Sequence, residues 1–153
     1  MPRSAIEVKT KPSFAEVKRR VTKARSNLSE TQQAHSRIAV FLDRWVQQNF
    51  RTEGRNVGGW DPFAAGGRRL RSGDLDTSAK LLQDTGRLRA SFVPFSSRRD
   101  AGIGSDLPYS KPHEEGLGHL PMRRMLPKLE EVHEEVTEIY DNFVKISLRP
   151  VGQ

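Results

Sequence analysis

The sequence predicts an α+β fold in which a small antiparallel sheet with a β-hairpin packs against two or three helices and carries a long Gly/Arg-rich loop. Three observations predict this class. Three segments place apolar residues at helical spacing, two of them in the N-terminal third and one near the C-terminus. A shorter run alternates apolar and polar residues on either side of a turn-forming segment. A stretch at about residues 53–75 is rich in Gly and Arg and has little periodicity.

We expect one domain spanning residues 1–153, since a hydrophobic core of this size is normally undivided. No apolar run reaches the roughly 18 residues that a membrane-spanning helix needs, and the N-terminus lacks the apolar segment of a secretory signal. We therefore expect a soluble, cytoplasmic protein. The chain has no cysteine, which excludes disulfides, a thiol nucleophile and a cysteine-based zinc site.

The net charge of +7 is unevenly distributed along the chain. Residues 1–99 hold 20 basic and 9 acidic residues (+11), whereas residues 100–153 hold 6 and 10 (−4). A basic and an acidic half suit head-to-tail contact between identical subunits, but a basic face for nucleic acid would give the same count. Charge alone leaves both interpretations open.

The N-terminal half is predicted to be mostly helical. A short strand at residues 6–9 precedes a helix over residues 14–26, for which Ser13 is the expected N-cap. A second helix, capped by Ser29, runs to about Phe50 and buries the apolar stripe Ile38, Phe41, Leu42, Trp45 and Val46. The first helix also carries a basic run that either is a solvated surface or contacts phosphates, and the possible DNA-facing residues are Lys18, Arg19, Arg20, Lys23 and Arg25.

The Gly/Arg-rich segment from residue 53 to 73 is predicted to be a long, mobile loop. Its aromatic residues Trp60 and Phe63 are expected either to fold back on the core or to dock on a neighbouring subunit. Its cations Arg68, Arg69 and Arg71 either remain in solvent or face passing DNA or an acidic neighbour. A loop of this length is uncommon in a compact domain unless it has a role.

The middle of the chain is predicted to form the hairpin. A short helical turn through Leu82 ends at Gly86. A first strand alternates Leu88, Ala90 and Phe92, and a second strand follows at residues 101–103. Pro94 cannot donate a ladder hydrogen bond, which predicts a bulged or edge strand that is able to pair with another subunit.

The C-terminal segment is predicted to be an acidic amphipathic helix followed by a strand. Its apolar stripe consists of Leu129, Val132, Val136, Ile139 or Tyr140, and Phe143. Residues 144–148 then alternate apolar with polar, which predicts a closing strand that would join residues 6–9 in one sheet.

No motif predicts catalysis, and we expect neither an enzyme nor a cofactor. The compact group His113, Glu114, Glu115 and His119 lacks the spacing of a zinc-protease helix, because its histidines are six residues apart in a segment containing Pro and Gly. No serine lies in a Gly-x-Ser-x-Gly turn. The remaining enzymatic alternative is a metal-dependent hydrolase built on His113, Glu114 and His119.

One ordered set of short motifs is the most specific signal in the chain. Thr85-Gly86-x-Leu88 is followed by Ile103-Gly104, Pro108-Tyr109, His113-x-x-Gly116 and Pro121-x-Arg123. In order and spacing this set resembles the phage virion morphogenesis and tail completion family, over about two thirds of the chain.

The resemblance implies a structural virion protein that forms a ring, commonly of six subunits, at the head-proximal end of the tail. Such a ring would end growth of the tail tube and join the tail to the head connector or stopper, close to the passing genome. The protein would be made in the host cytoplasm and reside in the virion neck; the alternative class is a basic nucleic-acid-binding module. The expected subunit-interface residues are Trp60, Phe63, Arg68, Arg69, Arg71, Thr85, Gly86, Leu88, Phe92, Pro108, Tyr109, His113, Gly116 and Arg123.

Overall fold

The computed structural model describes residues 13–63, 72, 74, 76 and 79–149, and over these residues it shows helices around a single antiparallel hairpin. This confirms the α+β class. The predicted strand at residues 6–9 and the segment 64–71, with Arg68, Arg69 and Arg71, lie outside the described residues. The elements in chain order are α1 (Phe14–Ser29), α2 (Gln32–Arg51), a 3-10 turn (Arg55–Val57), α3 (Arg87–Ala90), β1 (Phe92–Ser96), β2 (Ala101–Ser105), α4 (Ser110–Glu115) and α5 (Leu129–Ser147).

The two predicted N-terminal helices are confirmed, with one correction at their junction. The Ser13 hydroxyl caps α1 by accepting a hydrogen bond from the Glu16 amide at 3.3 Å. Ser29, the predicted cap of α2, is instead the last residue of α1, and Thr31 occupies the N-cap position of α2. Thr31 makes no capping bond because its hydroxyl donates to the Arg98 carbonyl in the hairpin turn at 2.6 Å.

The core forms where α2 meets segments far from it in the chain. The Phe50 ring meets Trp60 edge to face at 5.3 Å and Phe92 at 5.7 Å. Ile38 and Val46 are buried as predicted, and Phe50 is buried as well, whereas Phe41, Leu42 and Trp45 are half-buried. The buried cluster is Val46, Phe50, Trp60, Leu81, Leu88, Phe92 and Met125.

The predicted mobile loop is wrong for its first part, because residues 53–63 fold onto the core. Gly54 adopts a left-handed conformation (φ +83°) directly beneath the Trp60 indole, and a Cβ there would lie 2.2 Å from Trp60 Cδ1. Only glycine therefore allows this approach. The Trp60 amide also donates to the Glu53 carbonyl at 2.9 Å, and the Glu53 carboxylate accepts from the Leu81 amide at 2.8 Å.

The hairpin is confirmed, but its first strand begins later than predicted. Residues 87–90 form the short helix α3, and β1 pairs with β2 only from Phe92 opposite Ser105 to Ser96 opposite Ala101. Leu88 and Phe92 are both buried four residues apart, a spacing that suits a helical turn as well as a strand. Residues 81–82, predicted to be helical, form a turn in which Leu82 has φ +59°.

The predicted closing strand at residues 144–148 is wrong, because α5 continues through Ser147. No proline or glycine separates Phe143 from this segment, so the helical hydrogen bonds run on and the Leu148 amide donates to the Val144 carbonyl at 3.0 Å. Val132 and Phe143 are buried as predicted, but Leu129 is 69% exposed and does not belong to the core.

A buried histidine joins three elements. His35 of α2 shares a hydrogen bond with the Ser97 carbonyl of the hairpin turn (2.8 Å) and another with the Tyr140 hydroxyl of α5 (2.6 Å). Helix α1 is connected to the C-terminal end of α5, where the Asn27 side chain donates to the Ser147 carbonyl at 3.1 Å. Within the described ranges, no helix has the length and apolarity to cross a membrane.

Candidate subunit interface

The Pro-x-Arg segment, residues 121–126, is held against the core through its backbone. The Arg124 carbonyl accepts two hydrogen bonds, one from the Asn49 amide side chain at 3.0 Å and one from the Trp60 indole at 2.8 Å. Met125 is completely buried beside them. The segment therefore acts as a brace between α2, Trp60 and the start of α5.

Glu114 of α4 also binds the backbone of residues 121–126. Its carboxylate accepts from the Met125 amide at 2.6 Å and from the Leu126 amide at 3.3 Å. Burial raises the pKa of Glu114, while these two amide bonds act in the opposite direction. The geometry gives Glu114 a role in holding the backbone together.

Arg123 is the buried member of the motif, at 7% exposure. Its amide donates to the His113 carbonyl at 2.7 Å, and its guanidinium donates to the carbonyls of Asp61 and Pro62, both at 3.0 Å. Burial and the neighbouring Arg123 charge lower the pKa of His113. Arg123 thus connects α4 with the segment that follows Trp60.

Several of the predicted interface residues surround one open cleft. The cleft has a volume of about 240 Å³, and Tyr109, at 41% exposure, stands at its side. Gly86, in a left-handed conformation, immediately precedes α3, and both line one side of the cleft. The predicted residues that line the cleft are Thr85, Gly86, Leu88, Tyr109 and His113.

The outer face of the hairpin is apolar and exposed. Val93 is 62% exposed and Phe95 is 56% exposed, and they lie opposite Gly104 and Gly102 in the register. A Cβ at Gly102 would come within 2.5 Å of the Phe95 ring, so glycine lets the ring lie flat across the strands. Neighbouring apolar side chains exposed in this way commonly mark a contact surface.

Helix α1 presents a second exposed apolar surface. Phe14 is 83% exposed, Val17 42% and Val21 63%, and none of the residues of α1 is buried. The predicted DNA-facing cations Lys18, Arg19, Arg20, Lys23 and Arg25 are also exposed on this helix. Arg20 forms an ion pair with Glu16 at 2.6 Å.

The structure separates the predicted interface residues into interior and surface groups. Contacts within the same chain bury Trp60, Leu88, Phe92 and Arg123. Of the two alternatives predicted for Trp60, the structure therefore shows the one in which it folds back on the core. Phe63, His113 and Gly116 are half-buried; His113 lies on α4, and Gly116 caps the end of that helix. Thr85, Pro108 and Tyr109 remain exposed.

No metal centre forms among the residues that the structure describes: no three His, Asp or Glu side chains lie close enough to hold an ion. The sequence interpretation overlooked two polar residues of the fold, His35 and Asn49. Both lie on the buried face of α2, His35 three residues before Ile38 and Asn49 three residues after Val46. A polar residue on an apolar stripe was the signal that could have identified them.

Arg124 and Glu131 form a two-point ion pair at the start of α5, with 2.6 Å between Nη1 and Oε2. The Arg124 hydrogen bonds lower the pKa of Glu131 from 4.5 to about 2. A carboxylate whose pKa is lowered by folding stabilises the protein fully above its unfolded value and loses that contribution on acidification. The affected window therefore lies between about pH 4.5 and pH 2.

We expect Glu131→Gln to flatten the dependence of the unfolding free energy on pH in this window. The lost stability above pH 5 should be about 1 kcal/mol, since water screens this accessible pair. Urea unfolding at a series of pH values measures it. Glu135→Gln, at an exposed site on the same helix, is the control and should keep the wild-type slope; an unchanged slope in Glu131→Gln would contradict the prediction.

The fold and these surfaces define a small α+β protein with exposed apolar faces. A sequence model of the phage virion morphogenesis family matches residues 13–149. The chain therefore belongs to the phage virion morphogenesis family, as its motifs indicated. Comparisons with curated proteins and with solved structures found no significant match.

Proposed function

We propose that this protein is a structural component of the virion neck in a tailed phage. It forms a closed ring of six subunits at the head-proximal end of the tail. There it ends growth of the tail tube and joins the finished tail to the head. Family membership supports a role in building the virion; the ring and its position are the further steps of this proposal.

The exposed outer face of the hairpin is the observation that carries self-association. Val93 and Phe95 keep more than half of their surfaces in solvent, on a sheet that has two strands in the described part of the chain. A second subunit that covers this face would remove apolar area from water, a gain of about 25 cal/mol per Å². In the proposed ring, the hairpin face of each subunit packs against a different surface of the next subunit, which is the heterologous kind of contact that generates rings.

The proposed partners follow from this position. Copies of the chain contact one another around the ring, the tail tube protein lies on one side, and the connector or stopper protein lies on the other. Thr85, Pro108 and Tyr109 beside the cleft are the exposed motif residues available for these contacts. No step requires catalysis or a cofactor.

Val93→Asp is expected to convert rings into monomers, because a buried carboxylate on the hairpin face has no partner. Gly104, opposite Val93, leaves open space, so the fold should tolerate the change. Mass photometry and negative-stain electron microscopy of the purified full chain measure assembly, and circular dichroism checks folding. Asn56→Asp adds the same charge at an exposed site and should leave rings intact. A wild-type chain that is monomeric both in solution and in a map of the mature virion would contradict the proposal.

A nucleic-acid-binding module is the second candidate, favoured by the exposed cations on α1. Phosphate contacts would make binding to duplex DNA fall steeply with salt. The same helix also exposes Phe14 and Val21, however, and phosphate recognition does not use apolar side chains of this kind. A protein partner explains both features of the helix.

A further inference from the structure

We propose that α1 is an assembly arm whose apolar stripe docks on a second copy of this chain, with its basic flank facing the acidic surface of that copy's α5. This inference rests on the ring proposed above and names a second contact between neighbouring subunits, in addition to the hairpin face.

The stripe on α1 needs a partner. Its residues recur every three and four positions, the spacing of a helix-pairing seam: Phe14, Val17, Val21, Ala24 and Leu28. An isolated helix of 16 residues is marginal in water, because helices gain most of their stability by packing an apolar face. In the part of the chain that the structure describes, the stripe is left largely in solvent, with Phe14 83% exposed.

The charges identify the partner surface. Helix α1 carries five cations and one carboxylate, a net charge of +4, whereas α5 carries six carboxylates and one lysine, a net charge of −5. Two copies of α1 would repel each other, since Lys18, Arg20 and Arg25 flank the seam. On α5 the exposed carboxylates Glu130, Glu134 and Glu138 follow one another at four-residue steps and lie on one face.

The α1 helix of the same chain does not reach this acidic face. Residues 20–27 of α1 lie beside residues 147–149, at the C-terminal end of α5. Glu138 is nine residues before Ser147 along α5, about 14 Å at the helical rise of 1.5 Å per residue. The N-terminal half of α1 therefore points away from the acidic face of its own subunit, which is left to a neighbour.

The arm and its receptor are different surfaces of the same subunit. Each subunit would give α1 to one neighbour and accept α1 from the other, which is the head-to-tail arrangement that a ring requires. The exposed Leu129 at the start of α5 (69%) supplies apolar surface next to the acidic row. Complementary charge on the two faces fixes which helices pair.

A charge-exchange experiment tests the contact. Lys18→Glu with Arg25→Glu reverses two cations on one side of the stripe, and Glu134→Lys with Glu138→Lys reverses two carboxylates on α5. Each double variant should weaken assembly about tenfold, and the combined quadruple variant should recover most of it, because the opposite charges face each other again. Mass photometry over a concentration series measures assembly, and circular dichroism confirms folding.

Two further variants separate charge from packing. Arg37→Glu with Arg44→Glu makes the same charge change with the same spacing at exposed sites on α2, and should leave assembly unchanged. Phe14→Ser removes apolar surface without a change in charge, and should weaken assembly while preserving the fold.

Four results would overturn the inference. Rings that form normally in the Lys18→Glu, Arg25→Glu variant would exclude the arm while leaving the proposed ring intact. A quadruple variant no better than either double variant would exclude α5 as the receptor. If the Lys18→Glu, Arg25→Glu variant kept its rings but lost a salt-sensitive binding to duplex DNA that the wild-type chain shows, the two cations would be assigned to nucleic acid. Failure of the wild-type chain to form rings would instead remove both proposals.

Discussion

Trp60→Ala is expected to destabilise the protein by about 3–5 kcal/mol, which is a large part of the stability of a small domain. The indole is 7% exposed and stands edge to face with Phe50. Its removal leaves a cavity over Gly54 and takes away one of the two donors to the Arg124 carbonyl. Urea unfolding followed by far-ultraviolet circular dichroism measures the change.

Two companion variants divide this effect into its parts. Trp60→Phe keeps an aromatic ring beside Phe50 but loses the indole hydrogen bond, and should cost about 1–2 kcal/mol. Trp45→Ala alters the other tryptophan, which is half-buried at the edge of the core, and should cost less than Trp60→Ala. If Trp60→Ala kept the wild-type midpoint but abolished rings, Trp60 would be a contact between subunits and not a core residue.

Arg123→Ala is expected to destabilise the fold by about 2–3 kcal/mol, because the carbonyls of Asp61 and Pro62 lose charge-assisted hydrogen bonds. Arg123→Lys should recover less than half of this loss, since an ammonium group cannot reproduce the fork of donors that reaches both carbonyls. Hydrogen exchange at the Trp60 amide, which donates to Glu53, should accelerate in both variants.

Arg55→Ala is the matched control for Arg123. Arg55 lies exposed in the 3-10 turn of the same region, and its loss should change stability by no more than about 0.5 kcal/mol. Equal stability of the two alanine variants would show that Arg123 does not brace residues 61–62.

Local patterns predicted the helices well. The Ser13 cap and the periodic stripe of α2 are properties of neighbouring residues, and a helix depends mainly on hydrogen bonds four residues apart. The same dependence explains the error at residues 144–148. A short apolar alternation predicted a strand, but nothing interrupts the helical hydrogen bonds after Phe143.

Roles assigned to single residues were harder to predict. Trp60 was expected either in the core or at a neighbour, and the choice depended on Phe50, Gly54 and Arg124, the last of which lies 64 residues away. Leu88 and Phe92 suited both a strand and a helical turn until their burial on the core was known. The exposure of the α1 stripe could not be inferred from the stripe itself, since a buried and an uncovered helix can have the same spacing.

The amino-acid sequence by itself determined the α+β class, the positions of the main helices and the hairpin, and the ordered motifs of the phage virion morphogenesis family. These depend on residues close together in the chain. Only the tertiary structure decided that Arg123 and Glu114 brace the backbone while Val93, Phe95 and Phe14 remain uncovered. The physical reason is that burial depends on which distant segments meet, and this is established when the core packs.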